Sequence, residues 1–182
     1  MPLKEQLGLK LNPVGIKVSE ELLGKPIGKP EYFDKLVREA AVSGKTFIIT
    51  NDKLTDPYSH VSLGFEEPKY IKDYEPRIKD KTKSVRIGPV EDADVILFIV
   101  NAEQGMRLTF LLGKLEADFE CEAAIAGEAI AKVYNEQKPN LTLLCGGARI
   151  YGKFKDDEFI IGVPKKIYDE IKDKKVPKYA DG

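Results

Sequence analysis

The residues best suited to chemistry lie in two stretches that carry the two cysteines of the chain, Cys121 and Cys145. Cys145 ends an apolar strand predicted over Leu141–Leu144, and Gly146 and Gly147 follow it directly. Glycines leave a neighbouring thiol with little steric cover, and they allow backbone N–H groups to converge on an anion or another ligand. The spacing therefore indicates a ligand pocket or a reactive thiol at Cys145.

Arg149 completes the Gly-Gly-Ala-Arg segment and supports two interpretations. In the first, its guanidinium activates the Cys145 thiol or binds a carboxylate or phosphate in the pocket. In the second, Cys145 is an apolar filler of the core, the glycines only form a turn, and Arg149 pairs with a surface acid such as Asp156 or Asp157. Residue type alone favours the second interpretation, because cysteine is among the most frequently buried residues.

Cys121 lies near the start of a helix predicted over about residues 117–136, where the helix dipole stabilises a thiolate. Two thiols do not by themselves form a zinc or iron–sulfur site, since such sites usually take four ligands. The alternative metal set is Cys121, Cys145, the single histidine His60, and one carboxylate, for which Asp56 is the candidate. No Ser-His-Asp arrangement and no phosphate-binding glycine loop of standard spacing is specified. The sequence assigns no cofactor, and it leaves open whether a reaction is catalysed.

Composition indicates a globular protein and argues against several classes of partner. The 182 residues include 29 basic and 30 acidic side chains, so the net charge of −1 gives no reason to expect nucleic-acid or membrane binding. The longest apolar run, Val95–Val100, is too short to span a bilayer. Two cysteines and an N-terminus without a signal-like apolar run predict a cytoplasmic protein with free thiols. Abundant Lys and Glu favour a thermophilic source, and assembly into a homo-oligomer is left open.

The hydrophobic pattern predicts helices and strands that mix without strict βαβ spacing. Asn101, with Gln104 three positions later, forms a capping-box signature for a helix. Asp94–Val100 is apolar enough for a strand that is covered on both faces. We therefore predict one α+β domain over residues 1–182, with a mixed or antiparallel sheet covered by helices. Residues 66–83 are rich in charge and lack periodicity, which predicts an irregular charged surface excursion.

Several motifs resemble those of an uncharacterised family, domain of unknown function 169, also called ArCR. They are L-G-L-K-L-N-P-V-G-I-K-V, D-V-I-L-F-I-V-N-A-E-Q-G-M-R-L, C-E-A-A, N-L-T-L-L-C-G-G-A-R-I-Y-G and D-D-E-F-I-I-G-V-P, in that order. Members often have cysteines at the positions of Cys121 and Cys145, which implies that Cys145 is a site residue. Many also have C-P-G-G-A-x-x-L-G, which aligns here with residues 56–64. Asp56 thus replaces a cysteine, which counts against a site built from three thiolates, and the resemblance implies no established activity.

The residues and the resemblance together predict binding of a small ligand, with an anion as one candidate. The predicted ligand-binding residues are Cys121, Cys145, Gly146, Gly147 and Arg149. Cys145 is the best candidate for a catalytic residue and the more reactive thiol, and we expect it to lie close to Cys121. If Arg149 is an anion clamp, Arg149→Lys weakens ligand binding with little change in melting temperature. The alternatives are a redox or metal protein that uses the thiolates, and a non-catalytic protein that binds a partner through the excursion.

Overall fold

One mixed sheet organises the computed structural model, which describes residues 1–67, 76–113, 116–117 and 124–176. The strands in these residues are β1 (Val14–Ser19), β2 (Phe47–Ile49), β3 (Ser84–Gly88), β4 (Val95–Val100), β5 (Glu116–Ala117), β6 (Asn140–Thr142) and β7 (Phe159–Pro164). Their order across the sheet is β2-β3-β1-β4-β7-β6-β5. Neighbouring strands are antiparallel, except for β5 and β6, which run parallel. This arrangement confirms the predicted single α+β domain.

Helices pack on the sheet and carry much of the candidate site. They are α1 (Leu3–Leu7), α2 (Phe33–Ser43), α3 (Pro57–Ser62), α4 (Ala102–Leu112), α5 (Lys132–Glu136), α6 (Gly146–Gly152) and α7 (Lys165–Ile171). A 3-10 turn covers Asn51–Lys53, and a π-helix over Ile125–Ala131 runs directly into α5. The predicted helix over about residues 117–136 is therefore present from Ile125 to Glu136, although its first part is a π-helix, and residues 118–123 lie outside the described residues. No described helix combines the length and apolar character needed to cross a bilayer.

Strand β4 shows why the core has two halves. All six of its side chains are buried, and alternate residues point to opposite faces of the sheet. Val95, Leu97 and Ile99 join a cluster with side chains of α2 and the π-helix. Ile96, Phe98 and Val100 join a second cluster with side chains of α1, α4 and α7. The prediction that this strand is covered on both faces is confirmed.

Local signals in the sequence explain the helix boundaries. The capping box at α4 forms as predicted, because Asn101 Oδ1 accepts from the Gln104 N–H and Gln104 Oε1 accepts from the Asn101 N–H, both at 3.0 Å. Gly44 ends α2 in the left-handed conformation, with φ of 69°. Helix α2 presents its apolar stripe to the first half of the core, and this packing fixes the position of its first turn beside α6.

The described part of the charged stretch 66–83 contributes to the core. Residues 68–75 of this stretch lie outside the described residues. Ile78 is only 2% exposed, and its N–H donates to the Ser62 carbonyl at 2.8 Å. Ser84 begins β3 immediately afterwards. The buried side chain of Ile78 and its backbone hydrogen bond thus hold the chain against α3 shortly before β3 begins.

Candidate functional site

Cys145 lies at the junction between β6 and α6. Strand β6 ends at Thr142, two residues earlier than the predicted strand, and Leu144 adopts a positive φ of 71° that extended backbone does not allow. Cys145 then returns to extended backbone and becomes the N-cap of α6. The Gly-Gly-Ala-Arg segment is therefore the first turn of a helix and not a simple turn. The sequence did not reveal this helix because glycine has low helix propensity.

A cavity of about 370 Å³ opens beside Cys145. It lies where the first turns of α2, α3, α6 and the π-helix meet. The described residues that line it are Tyr32, Asp34, Asp56, Tyr58, Ser59, Ala124, Ile125, Ala126, Cys145, Gly146, Gly147 and Tyr151. The structure thus brings Cys145, Gly146, Gly147 and Asp56 to one cavity, together with Asp34 and aromatic side chains that the sequence did not point to.

The fold has room for a side chain at the position of each of the two glycines. A Cβ atom at Gly146 would meet nothing within 4 Å, and one at Gly147 would meet only the Cys145 sulfur at 3.6 Å, an ordinary contact. Neither glycine has a positive φ. The fold would thus accommodate alanine at both positions without backbone strain, and glycine leaves the space beside Cys145 open.

Two carboxyl groups line the cavity, and they differ in their hydrogen bonding. The carboxylate of Asp56 caps α3, accepting from the Tyr58 and Ser59 N–H groups at 3.1 Å and from the Ser59 hydroxyl. Asp34, in the first turn of α2, is partly buried and forms no hydrogen bond or ion pair with any described residue. Burial, with a smaller contribution from the nearby Asp56 carboxylate, raises the pKa of Asp34 to about 7. The protonation of Asp34 therefore changes near neutral pH.

A pair of aromatic rings forms one wall of the cavity. Tyr32, the N-cap of α2, stacks on Tyr151 of α6 with ring centroids 3.8 Å apart and ring planes 5° apart. The Tyr151 hydroxyl, through a hydrogen bond, is the main cause that raises the pKa of Tyr32 above its ordinary value. Both rings also line an outer groove of about 510 Å³ between α2 and α6. The ring pair thus separates the cavity beside Cys145 from a more apolar surface groove.

Arg149 lies outside the cavity lining and holds backbone carbonyls. Its Nη2 donates to the Leu143 carbonyl at 2.9 Å and to the Glu158 carbonyl at 3.4 Å, and its Nη1 donates to the Lys155 carbonyl. It pairs with neither Asp156 nor Asp157, so the surface ion pair that the sequence suggested does not form, and a role of Arg149 in ligand binding stays a prediction. Its guanidinium instead ties α6 to the segments before and after it.

The alternative metal set is not assembled by the described residues. His60 does not line the cavity. Both nitrogens of its ring have other partners, since Nδ1 lies 2.7 Å from Asn51 Oδ1 and Nε2 lies 3.1 Å from the Leu54 carbonyl oxygen. Within the described residues, no group of three or more His, Cys, Asp and Glu side chains could hold a metal ion. Cys121 lies outside the described residues, so its predicted approach to Cys145 stays a prediction.

A larger cleft of about 670 Å³ lies elsewhere on the molecule. Its described lining includes the first residues of the chain, Pro13, Pro89 and Tyr168, and none of the predicted site residues. We regard the smaller cavity as the candidate site because it combines a thiol, two carboxyl groups and an aromatic wall.

The comparisons with known proteins agree with the resemblance in the motifs. The family model of domain of unknown function 169, described as uncharacterised ArCR, matches residues 2–174. The chain belongs to this family. It is also 27% identical over 115 residues to the uncharacterized protein MJ0308 of Methanocaldococcus jannaschii, a match that covers 58% of this chain and 49% of that protein. The chain thus spans about half the length of this curated relative. No solved structure matches.

The two family motifs quoted above meet at the cavity in this member of domain family 169. Asp56 and Cys145 each precede a short helix, as the N-caps of α3 and α6. Both residues line the same cavity. In this chain, one of the two N-cap positions thus carries a thiol and the other a carboxylate.

Sequence reasoning missed Asp34, Tyr32 and Tyr151. One signal for Asp34 was available, because it lies three and seven positions before Val37 and Ala41 and so shares the buried face of α2. An acid on an apolar stripe is unusual and needs a reason. Nothing local indicates the two tyrosines, since their stacking depends on how α6 packs against α2.

Proposed function

We propose that this chain binds a small molecule in the cavity beside Cys145. The observation that carries the proposal is the open space that Gly146 and Gly147 leave beside the thiol. Alanine would fit at both positions, so steric demands of the fold do not account for the glycines. A bound molecule that occupies the space does account for them.

The size and lining of the cavity support a small-molecule site. Its volume of about 370 Å³ lies in the range of about 300–1,000 Å³ that is typical of ligand pockets. Such pockets combine mainly apolar walls with a few polar groups that orient the ligand. Here Ile125 and the tyrosine rings supply apolar area, while Asp34, Ser59 and Cys145 supply polar atoms.

Cys145 is the residue on which we base any chemistry at this site. It is a free cysteine, partly exposed, and its sulfur lies on the cavity wall. The proposal leaves out Arg149, whose donors are used on backbone carbonyls. It also leaves out Cys121, which lies outside the described residues. Binding requires neither residue.

Native mass spectrometry of the purified chain, after incubation with the small-molecule fraction of a cell extract, tests this proposal. We expect a discrete increase in mass for the parent chain. Gly147→Leu fills the cavity next to Cys145 and should abolish the increase. Gly28→Leu is the matched control, because a Cβ at Gly28 also meets nothing within 4 Å and Gly28 lies outside the cavity.

Three outcomes would contradict the proposal. One is a parent chain that gains no mass. The other is a Gly147→Leu chain that is folded, by circular dichroism, and gains the same mass as the parent. A loss of binding that occurs equally in Gly28→Leu would also count against it, because a general loss of stability would then explain the result.

A further inference from the structure

The charged groups on the cavity wall carry one sign. Asp34 and Asp56 supply carboxyl groups, and among the described residues that line the cavity there is no Lys, Arg or His. The Asp56 carboxylate is used on two N–H groups and a hydroxyl, whereas the Asp34 carboxyl has no partner among the described residues. A ligand with a carboxylate or phosphate would meet these two acids, and the described lining offers no basic side chain to offset them.

Aromatic faces in the same cavity favour a cation independently of the acids. Tyr32, Tyr58 and Tyr151 all line it. The negative face of an aromatic ring attracts an ammonium or guanidinium group within about 6 Å of the ring centre. The stacked rings of Tyr32 and Tyr151, with planes only 5° apart, form a flat wall that suits a planar group.

We propose that the ligand carries an organic cation, such as an amidinium, guanidinium or ammonium group, and that Asp34 is its counter-charge. This inference rests on the proposed function, because it takes the cavity beside Cys145 to be the ligand site. An organic cation fits better than a metal ion, because the cavity of about 370 Å³ far exceeds one ion and the described residues offer no group of three metal ligands.

The ionisation of Asp34 agrees with this assignment. Its pKa is raised to about 7 because burial, and then the Asp56 carboxylate, disfavour the charged form. A cation placed beside the carboxyl group reverses that preference and draws the proton off. Binding of a cation should therefore strengthen between pH 5.5 and pH 8 and should release a proton near pH 6.

Three probes of nearly the same shape but different charge test the proposal by isothermal titration calorimetry at pH 8. They are benzamidinium, neutral benzamide and anionic benzoate. We expect benzamidinium to bind about tenfold more tightly than benzamide, as one charge-assisted hydrogen-bonded pair provides. Benzoate should bind more weakly than both. The backbone N–H groups at the start of α6 are the feature that would instead favour an anion, and benzoate tests them.

Substitutions separate the two acids from general effects of charge. Asp34→Asn keeps the shape of the side chain, and it should remove the preference for benzamidinium over benzamide while benzamide still binds. Asp56→Asn keeps a residue that caps helices well and should reduce the preference less. Asp156→Asn, which changes an exposed acid outside the cavity, should leave the preference unchanged.

The pH profile needs controls for the other groups that titrate in the cavity. These are Asp56, the Cys145 thiol and the hydroxyl groups of the three lining tyrosines. Ordinary tyrosines stay protonated below pH 8. Repeating the titration of benzamidinium in Cys145→Ser separates the thiol from Asp34, and the pH dependence should persist in Cys145→Ser and disappear in Asp34→Asn.

Each remaining outcome overturns the proposal. Equal affinity for benzamidinium and benzamide, tighter binding of benzoate, or an unchanged preference in folded Asp34→Asn would each show that Asp34 is not a counter-charge. Failure of all three probes to bind at millimolar concentration would likewise overturn the assignment of an organic cation. The mass-spectrometric comparison of the parent with Gly147→Leu judges separately whether the cavity binds a small molecule at all.

Discussion

Glycines have opposite roles where β7 meets the π-helix and where α6 begins. A Cβ at Gly162 in β7 would lie 2.0 Å from the Ala129 carbonyl oxygen, so the helix and the strand are close enough to exclude any side chain. A Cβ at Gly146 in α6 would meet nothing. The first glycine is required for packing, whereas the second leaves unfilled space. The comparison shows that a glycine must be judged by what surrounds it in the fold.

Polar side chains differ in the same way between the sheet and the cavity. Ser84 in β3 is fully buried, and its hydroxyl donates to the Glu21 carbonyl at 2.6 Å and accepts from the Leu23 N–H at 3.1 Å. Asp34 is partly buried on the cavity wall and has no such partner among the described residues. The carboxyl group of Asp34 is therefore available to a ligand in the cavity, whereas the Ser84 hydroxyl is already used within the fold.

Gly162→Ala should give the largest loss of stability, because the added methyl group collides with the Ala129 backbone and cannot be accommodated by a rotation of a side chain. We expect the free energy of unfolding to fall by about 3 kcal/mol or more. Urea denaturation followed by circular dichroism measures this, with Gly28→Ala as the control in open space. A Gly162→Ala chain as stable as the control would remove the contrast between the two regions.

Asp34→Asn should stabilise the protein at high pH. The folded-state pKa is raised, to about 7 from an ordinary 3.8, so the unfolded chain releases this proton first as the pH rises. The parent should therefore lose stability between about pH 4 and pH 7, and at pH 8 Asp34→Asn should be more stable by roughly 2 kcal/mol. Unfolding free energies measured from pH 4 to pH 8 test this. If the unfolding free energies of parent and variant change with pH in parallel, the surroundings of Asp34 do not disfavour its ionised form.

Arg149→Lys should lower stability moderately and leave ligand binding unchanged. Lysine lacks the planar guanidinium group of arginine, so it cannot donate to the carbonyls of Leu143, Lys155 and Glu158 at the same time. We expect a loss of about 1–2 kcal/mol in unfolding free energy, together with unchanged affinity for benzamidinium. The opposite pattern, weaker binding of an anion at unchanged stability, would restore the anion clamp that the sequence suggested.

Gly146→Ala should have the smallest effect on stability. Its Cβ meets no atom, and alanine restricts the unfolded chain more than glycine does, so the change should lie between zero and a gain of about 1 kcal/mol. Thermal unfolding monitored by circular dichroism is sufficient to measure it. A loss of more than about 1 kcal/mol would show that the fold itself needs glycine here, and the argument for a cavity kept open by glycines would fail.

The sequence by itself determined the features that depend on near neighbours along the chain. The run Val95–Val100 could only be buried on both faces, because six consecutive apolar side chains alternate between the two sides of a strand. The capping box of Asn101 and Gln104 requires only four consecutive residues. The order of the motifs was likewise sufficient to place the chain in its family.

Only the tertiary structure decided what surrounds Cys145. Asp34 precedes it by 111 positions in the sequence, and the two line the same cavity because α2 packs against α6, where Gly152 allows the helices to approach closely. The raised pKa of Asp34 and the stacked tyrosines follow from this packing. The backbone carbonyls to which Arg149 donates likewise cannot be predicted from a local sequence pattern. Burial and charge act through space, so the chemistry of the cavity depends on long-range packing that the sequence pattern does not contain.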